Sequence, residues 1–309
     1  FKIEAINQDS TALVIKVNDI YDGTETSINN VFTNINLGTS AIKNLSRILS
    51  IKSFPNNVVA TSELTTKVTE GTTSVYVTVE VSSSILLLPE KPMTGRFDNQ
   101  KVGYFTNPLL SFSDAQQGTD KKQYITRWRM EPKLEDREAY LKGKAVEPAK
   151  PIVFYIDNST PYQWRKYIKR GIEDWQIAFE KAGFKNAIIA IEVTDSMEID
   201  MDDVNYSVLT YAASEKKNAM GPSLLDPRSG EILEADIMWW HNVLSMVSEW
   251  ITVQTGTVCP EARSVQLPDS LLGDAIRFVA CHPRTMDAGL LTGADTDSLS
   301  ALRITYRIG

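Results

Sequence analysis

The sequence predicts an α+β protein: a β-rich N-terminal region, and after it a mixed sheet served by one long amphipathic helix. Three observations carry this. Up to about residue 105 apolar residues recur near period two among many β-branched residues. From Pro151 a short apolar run is followed by a helical stripe with start and stop signals. Further apolar runs of strand length then follow one another.

In order, Phe1–Ile6 and Ala12–Val17 read as a hairpin around the polar break Asn7–Ser10. Thr72–Val81 reads as a strand entered by the turn signal Glu70–Gly71. Between them Ile42–Ile51 is expected to form a short helix. Nothing in this first region groups His, Cys or acids into a chemical site. Residues 106–150, with Asn107–Pro108, Gln116–Gly118 and Glu147–Pro148, are irregular and polar apart from Tyr124–Trp128. They read as a surface-packed connector.

Ile152–Ile156 is a buried strand by its continuous apolar character. Thr160 as N-cap, Pro161 at the first helical position and Gln163 closing a capping box predict a helix start. Trp164, Tyr167, Ile168, Ile172, Trp175, Phe179 and Ala182 make one helical face, and Gly183 supplies a left-handed C-terminal cap. Ala187–Val193 and Tyr206–Ala212 are the next strands. After the turn Asp226–Gly230, the run Glu231–His241 alternates: Leu233, Ala235, Ile237, Trp239 and His241 share one face, and Ile232, Glu234, Asp236, Met238 and Trp240 the other. Two acids on one face predict an edge strand with that face wet, because unpaired carboxylates are costly to bury. Asp269 or Ser270 can cap a last helix with the stripe Leu272, Ala275, Ile276 and Val279, ending at His282. Pro283 stops it, since proline inside a helix costs about 3 kcal/mol.

The chain has 309 residues, 42% hydrophobic and 23% charged, enough for two domains with real cores. A net charge of −7 argues against a nucleic-acid surface. The densest basic stretch, Arg165–Arg170, falls on the amphipathic helix as a solvated face. No run approaches the roughly 18 apolar residues of a membrane span, and the N-terminus opens on strand-like sequence rather than on a signal segment. Cys259 and Cys281 are the only cysteines, too few for a cysteine-rich zinc site. Free thiols and one disulfide both fit.

Several blocks resemble one family in the same order: Val153–Asp157, Trp164 with Gly171–Trp175, Ala178–Phe184, Gly221–Ser223 with Asp226–Glu231, Ala235–Trp239 and Ala275–His282. The chain resembles secreted bacterial zinc-dependent metalloproteases, zincins of metzincin-like type, that carry a β-rich N-terminal domain of uncharacterised function. The resemblance covers residues 1–282 and implies a β-rich domain at 1–105, a connector at 106–150 and the front of a zincin-like catalytic domain at 151–282. Strand, long helix, two strands, edge strand and a histidine-terminated helix are that domain's order. It also implies peptide or protein substrates, zinc as cofactor, and a secreted, periplasmic or outer-membrane-associated location.

The family's zinc helix holds histidine, glutamate, two residues, histidine, two residues, glycine, two residues, histidine. Histidines four apart on a helix face one metal, and the glutamate takes a proton from zinc-bound water. His282 matches the first ligand. Pro283 stands in the glutamate position, Met286 in that of the second histidine and Thr292 in that of the third, while Gly289 matches. The only other histidine is His241, read as an ordinary strand-end residue. One imidazole cannot make the three-ligand site of a catalytic zinc, so zinc is not expected to be held stably and hydrolysis lacks its agent. Residues 283–309 do not resemble the family. A changed reading frame or truncated gene model and a natural inactive homologue with a rebuilt C-terminus both account for this. The nucleotide sequence across codon 282 separates them.

The resemblance further implies that the expected edge strand pairs with an extended peptide by strand addition, with Leu233, Ala235, Ile237 and Trp239 lining the substrate, unless the opposite face does. The alternative to a protease ancestry is a non-catalytic peptide- or protein-binding module using the same edge. Nothing in the sequence sets the oligomeric state.

Overall fold

A computed structural model describes residues 2–25, 31–35, 37, 40–99, 101–115 and 117–254. The chain divides into two compact units, Phe1–Leu87 and Leu88–Gly309. The division falls earlier than the expected 105. Among the described residues no helix is long and apolar enough to cross a membrane.

In the first unit β1 (Lys2–Ile6) and β2 (Leu13–Lys16) form the expected antiparallel hairpin. The short helices α1 (Asn18–Tyr21) and α2 (Val31–Asn34) contribute Ile20, Tyr21 and Phe32 to its core. A meander follows, with β3 (Arg47–Ser53), β4 (Asn57–Glu70) and β5 (Thr73–Leu86) in that order. The β4–β5 ladder pairs all fourteen residues of each strand and turns at Gly71, whose φ of +61° suits a tight hairpin. The helix expected over Ile42–Ile51 is absent. Only Lys43–Leu45 makes a helical turn, of 3₁₀ type, and β3 takes over from Arg47. The long β4 decides this: the Ile42 amide donates to the Thr65 carbonyl, and the Thr65 amide donates to Ser46 Oγ. Strand pairing along β4 outweighs a weak local helix preference.

The second unit begins with β6 (Thr106–Ser111) and β7 (Asp120–Ile125), an antiparallel pair, then β8 (Arg127–Trp128) and the short helix α3 (Arg137–Leu141). The segment expected to be a connector is therefore built into this unit. Next come β9 (Ile152–Ile156), α4 (Tyr162–Glu173), α5 (Gln176–Lys181), β10 (Ile188–Glu192), β11 (Ser207–Ala212) and β12 (Ala219–Met220). Last are β13 (Ser223–Asp226), β14 (Glu231–Ala235), β15 (Ile237–Trp240) and α6 (Val243–Gln254). The main sheet has the order β10-β9-β11-β15-β12, parallel except for β12. A second sheet has the order β13-β14-β8. The described residues thus form an α+β fold rich in sheet.

One apolar core joins them. Phe154, Ile156, Leu209, Ile237 and Trp239 face Trp164, Ile168 and Ile172 of α4, as the helical stripe predicts. The helix start differs from expectation. Pro161 is the N-cap, no side chain caps the helix, and Thr160 Oγ1 is buried without a partner. The Arg165 guanidinium donates to the Thr160 and Asn158 carbonyls instead. The expected single helix is also broken. At Asp174–Trp175 the chain keeps helical dihedrals but tightens, with the Ala178 amide donating to Trp175 O three residues back. The break frees Gln176, whose Oε1 accepts the Ala187 amide at 2.8 Å and sets the start of β10. Gly183 (φ +89°) ends the helix as expected, with the Phe184 amide on Phe179 O and the Gly183 amide on Glu180 O.

Helix α6 was not foreseen, although Val243, Val247 and Trp250 stand at helical spacing and pack on the core. The helix expected to end at His282 lies outside the described residues.

Gly230, at φ +75°, closes the β13–β14 turn, and a Cβ there would lie 2.5 Å from the Ile125 carbonyl oxygen. Gly230→Ala is expected to cost about 2–4 kcal/mol, from left-handed strain plus displacement of that carbonyl. Urea unfolding checks it, and an unchanged midpoint would refute this account.

Candidate functional site

The run 231–240 is one strand in sequence and two in space. It is interrupted at Asp236, whose amide donates to Pro222 O at 3.0 Å. β14 lies between β13 and β8, and β15 between β11 and β12, so neither half is an edge. This corrects the expected edge strand. The antiparallel edge of the main sheet among the described residues is β12, beside Trp239 and Met238. The four residues expected to line a peptide are placed accordingly. Ala235, Ile237 and Trp239 are 2%, 4% and 3% exposed and belong to the core, while Leu233 is half-buried.

The acids on the other face are not wet. Glu234 is 7% exposed, and Asp236 beside it is half-buried. Burial, then the Asp236 charge, pushes Glu234 up to about 9, and burial also raises Asp236. Glu234 Oε1 is buried without a hydrogen-bond partner, and Asp236 Oδ1 accepts the Val208 amide at 2.8 Å.

Polar side chains gather at the C-terminal ends of the parallel strands β9, β11 and β15, where open α/β sheets usually take ligands. The Asp157 amide donates to Leu209 O and the His241 amide to Ala212 O, which fixes these ends side by side. Ser159 Oγ donates to Asp157 Oδ2 and lies 3.4 Å from Tyr211 O. Tyr211 Oη and His241 Nδ1 are 2.7 Å apart, their rings edge to face. Burial raises the Tyr211 phenol. His241 directly follows the end of β15, as expected, and its ring is held by the Tyr211 hydroxyl. Sequence reading missed Tyr211, whose pairing depends on the parallel register of β11 with β15. Among the described residues no three His, Cys, Asp or Glu side chains stand together as a metal site. His282, Pro283, Met286, Gly289, Thr292, Cys259 and Cys281 lie outside the described residues.

Below β14 an ionic ladder ties in the preceding segment. Arg129 grips Glu231 with two bonds of 2.7 and 2.6 Å and donates to Lys91 O. Arg228 holds the fully buried Asp226 and donates to Pro89 O, and Arg127 donates to Thr94 O. Arg228 keeps the Asp226 carboxyl below its usual range.

A family model described as a domain of unknown function (DUF5117) matches residues 1–133. No curated protein and no solved structure matches the chain. The match covers the first, β-rich unit and continues through β8 into the second.

Arg129→Leu leaves Glu231 buried and unpaired and is expected to cost about 2–4 kcal/mol. Arg129→Leu with Glu231→Leu should recover most of that loss in the same denaturation series. A double variant no better than the single would sink the pairing argument.

Proposed function

We propose that this chain carries the scaffold of a zinc metallopeptidase without the residues for catalysis, and does not work as a protease. The carrying observation is the composition of the zinc motif. His282 stands at the first ligand position, with Pro283, Met286 and Thr292 at the positions of the base and the other two ligands. With two histidines in the chain, three imidazole ligands cannot be assembled from it. The one described histidine, His241, has Nδ1 engaged by Tyr211. The residues present do not fit a catalytic zinc, and no hydrolytic step follows from them. The order β9, α4, α5, β10 and β11 supports the ancestry, while the run 231–240, expected as the edge strand, is paired on both sides.

A second reading keeps peptide binding without hydrolysis, by strand addition at β12, the outer strand of the main sheet among the described residues. In this reading an extended peptide pairs with Asn218–Met220 and not with 232–240, whose backbone is already paired on both sides.

Purified protein is expected to hold no stoichiometric zinc by metal analysis and to leave casein intact with or without chelator. Stoichiometric zinc together with chelator-sensitive cleavage would overturn the proposal. Peptide binding indifferent to chelator and to His282→Ala would select the second reading.

A further inference from the structure

The face of the main sheet turned away from α4 gathers methionines. Ile237 and Trp239 belong to the core, so Met238 between them lies on the opposite face, where it is 39% exposed. Its partner across the antiparallel ladder is Met220 of β12, and across the parallel ladder Thr210 of β11. Residues paired in register share a face, so Thr210, Met238 and Met220 form one row across three adjacent strands. The segment between β10 and β11 extends that row. The Thr210 hydroxyl donates to the thioether sulfur of Met201 at 3.4 Å, which sets this sulfur over the same face. Met201 is 55% exposed and Met220 is half-buried.

We propose that Met201, Met220 and Met238 form a binding site for a soft monovalent metal ion, Cu(I), held through their three thioether sulfurs. Neighbouring strands stand about 4.8 Å apart, and each methionine side chain turns about three rotatable bonds, so sulfurs from adjacent strands reach one ion. Thioethers are neutral and soft, and soft sulfur ligands suit Cu(I), whereas hard cations take oxygen. Strands β11, β12 and β15 carry no Lys or Arg, so they place no side-chain cation in the row.

Core packing does not account for these side chains. A methionine that fills a core is covered, as Met93 is, whereas Met201 and Met238 leave much of their apolar surface to water. Three separate segments of the chain each deliver one sulfur to the same face. The site uses no residue of the zinc motif at 282–292, so its test is independent of the protease reading.

The test uses the full chain with Cys259→Ser and Cys281→Ser, which removes the thiols that would otherwise take the metal. Ag(I) in chloride-free buffer serves as the redox-inert probe. With methyl-labelled methionine, one equivalent of Ag(I) should shift the methyl resonances of Met201, Met220 and Met238 together and leave the other methionines in place. Calorimetric titration should show one strong site, weakened about tenfold or more by Met238→Leu, which conserves side-chain volume. Met197→Leu, which removes another exposed methionine of the segment before β11, should leave the affinity unchanged. Cu(I) supplied without oxygen should displace Ag(I). Shifts spread over exposed methionines without preference, equal affinity in parent and Met238→Leu, or equal losses in Met197→Leu and Met238→Leu each overturn the proposal. Failure of Cu(I) to displace Ag(I) overturns it as well.

Discussion

The second unit depends on one backbone constraint: the strand from Glu231 to Trp240 has to serve two sheets. A continuous strand cannot satisfy ladders that diverge, and the chain solves this at Asp236, which leaves both ladders and uses its amide and carboxylate to stitch neighbouring segments. On one side the small sheet gathers β8 and β13. On the other the parallel sheet gathers β11 and β12. Core residues from both halves, Ile232 and Ala235 with Ile237 and Trp239, then close a single hydrophobic interior under α4. Moving the break by one residue would exchange the faces of every side chain beyond it.

This arrangement explains which parts of the fold were legible from residues alone. The hairpin at the N-terminus, the strands at 152–156, 188–192 and 207–212, and the glycine that ends the helix announce themselves by local pattern, and local pattern is enough for them. The 3₁₀ turn and strand at 43–53 were not legible, because their state is set by β4, a partner that the window around Ile48 does not contain. The capping box is absent for a local reason that the motif does not reveal. Arg165 occupies the carbonyls at the helix start, and the Thr160 hydroxyl ends buried without a partner. Helix α6 is marked in the sequence by Val243, Val247 and Trp250 at helical spacing.

The site was legible in its residues but not in its topology. The inference from two acids to a wet edge failed because the run is split between two sheets, each half is paired on both sides, and Glu234 is buried. The edge fell instead to Ala219–Met220, too short to stand out as a strand. Nothing near His241 in sequence reveals its contact with Tyr211, thirty residues earlier. The metal-ligand reading rests on spacing at 282–292 and therefore on sequence chemistry alone.

The Arg129–Glu231 grip also bears on what is inherited as a piece and what folds as one. The matched segment ends at residue 133, yet Arg129 and β8 find their counterparts about a hundred positions downstream. The matched stretch does not coincide with one compact unit: its last forty-odd residues, 88–133, lie in the second unit. Any shuffling of this module between proteins would have to carry a compatible β14 with it, or trade away the anchorage of its own C-terminal end.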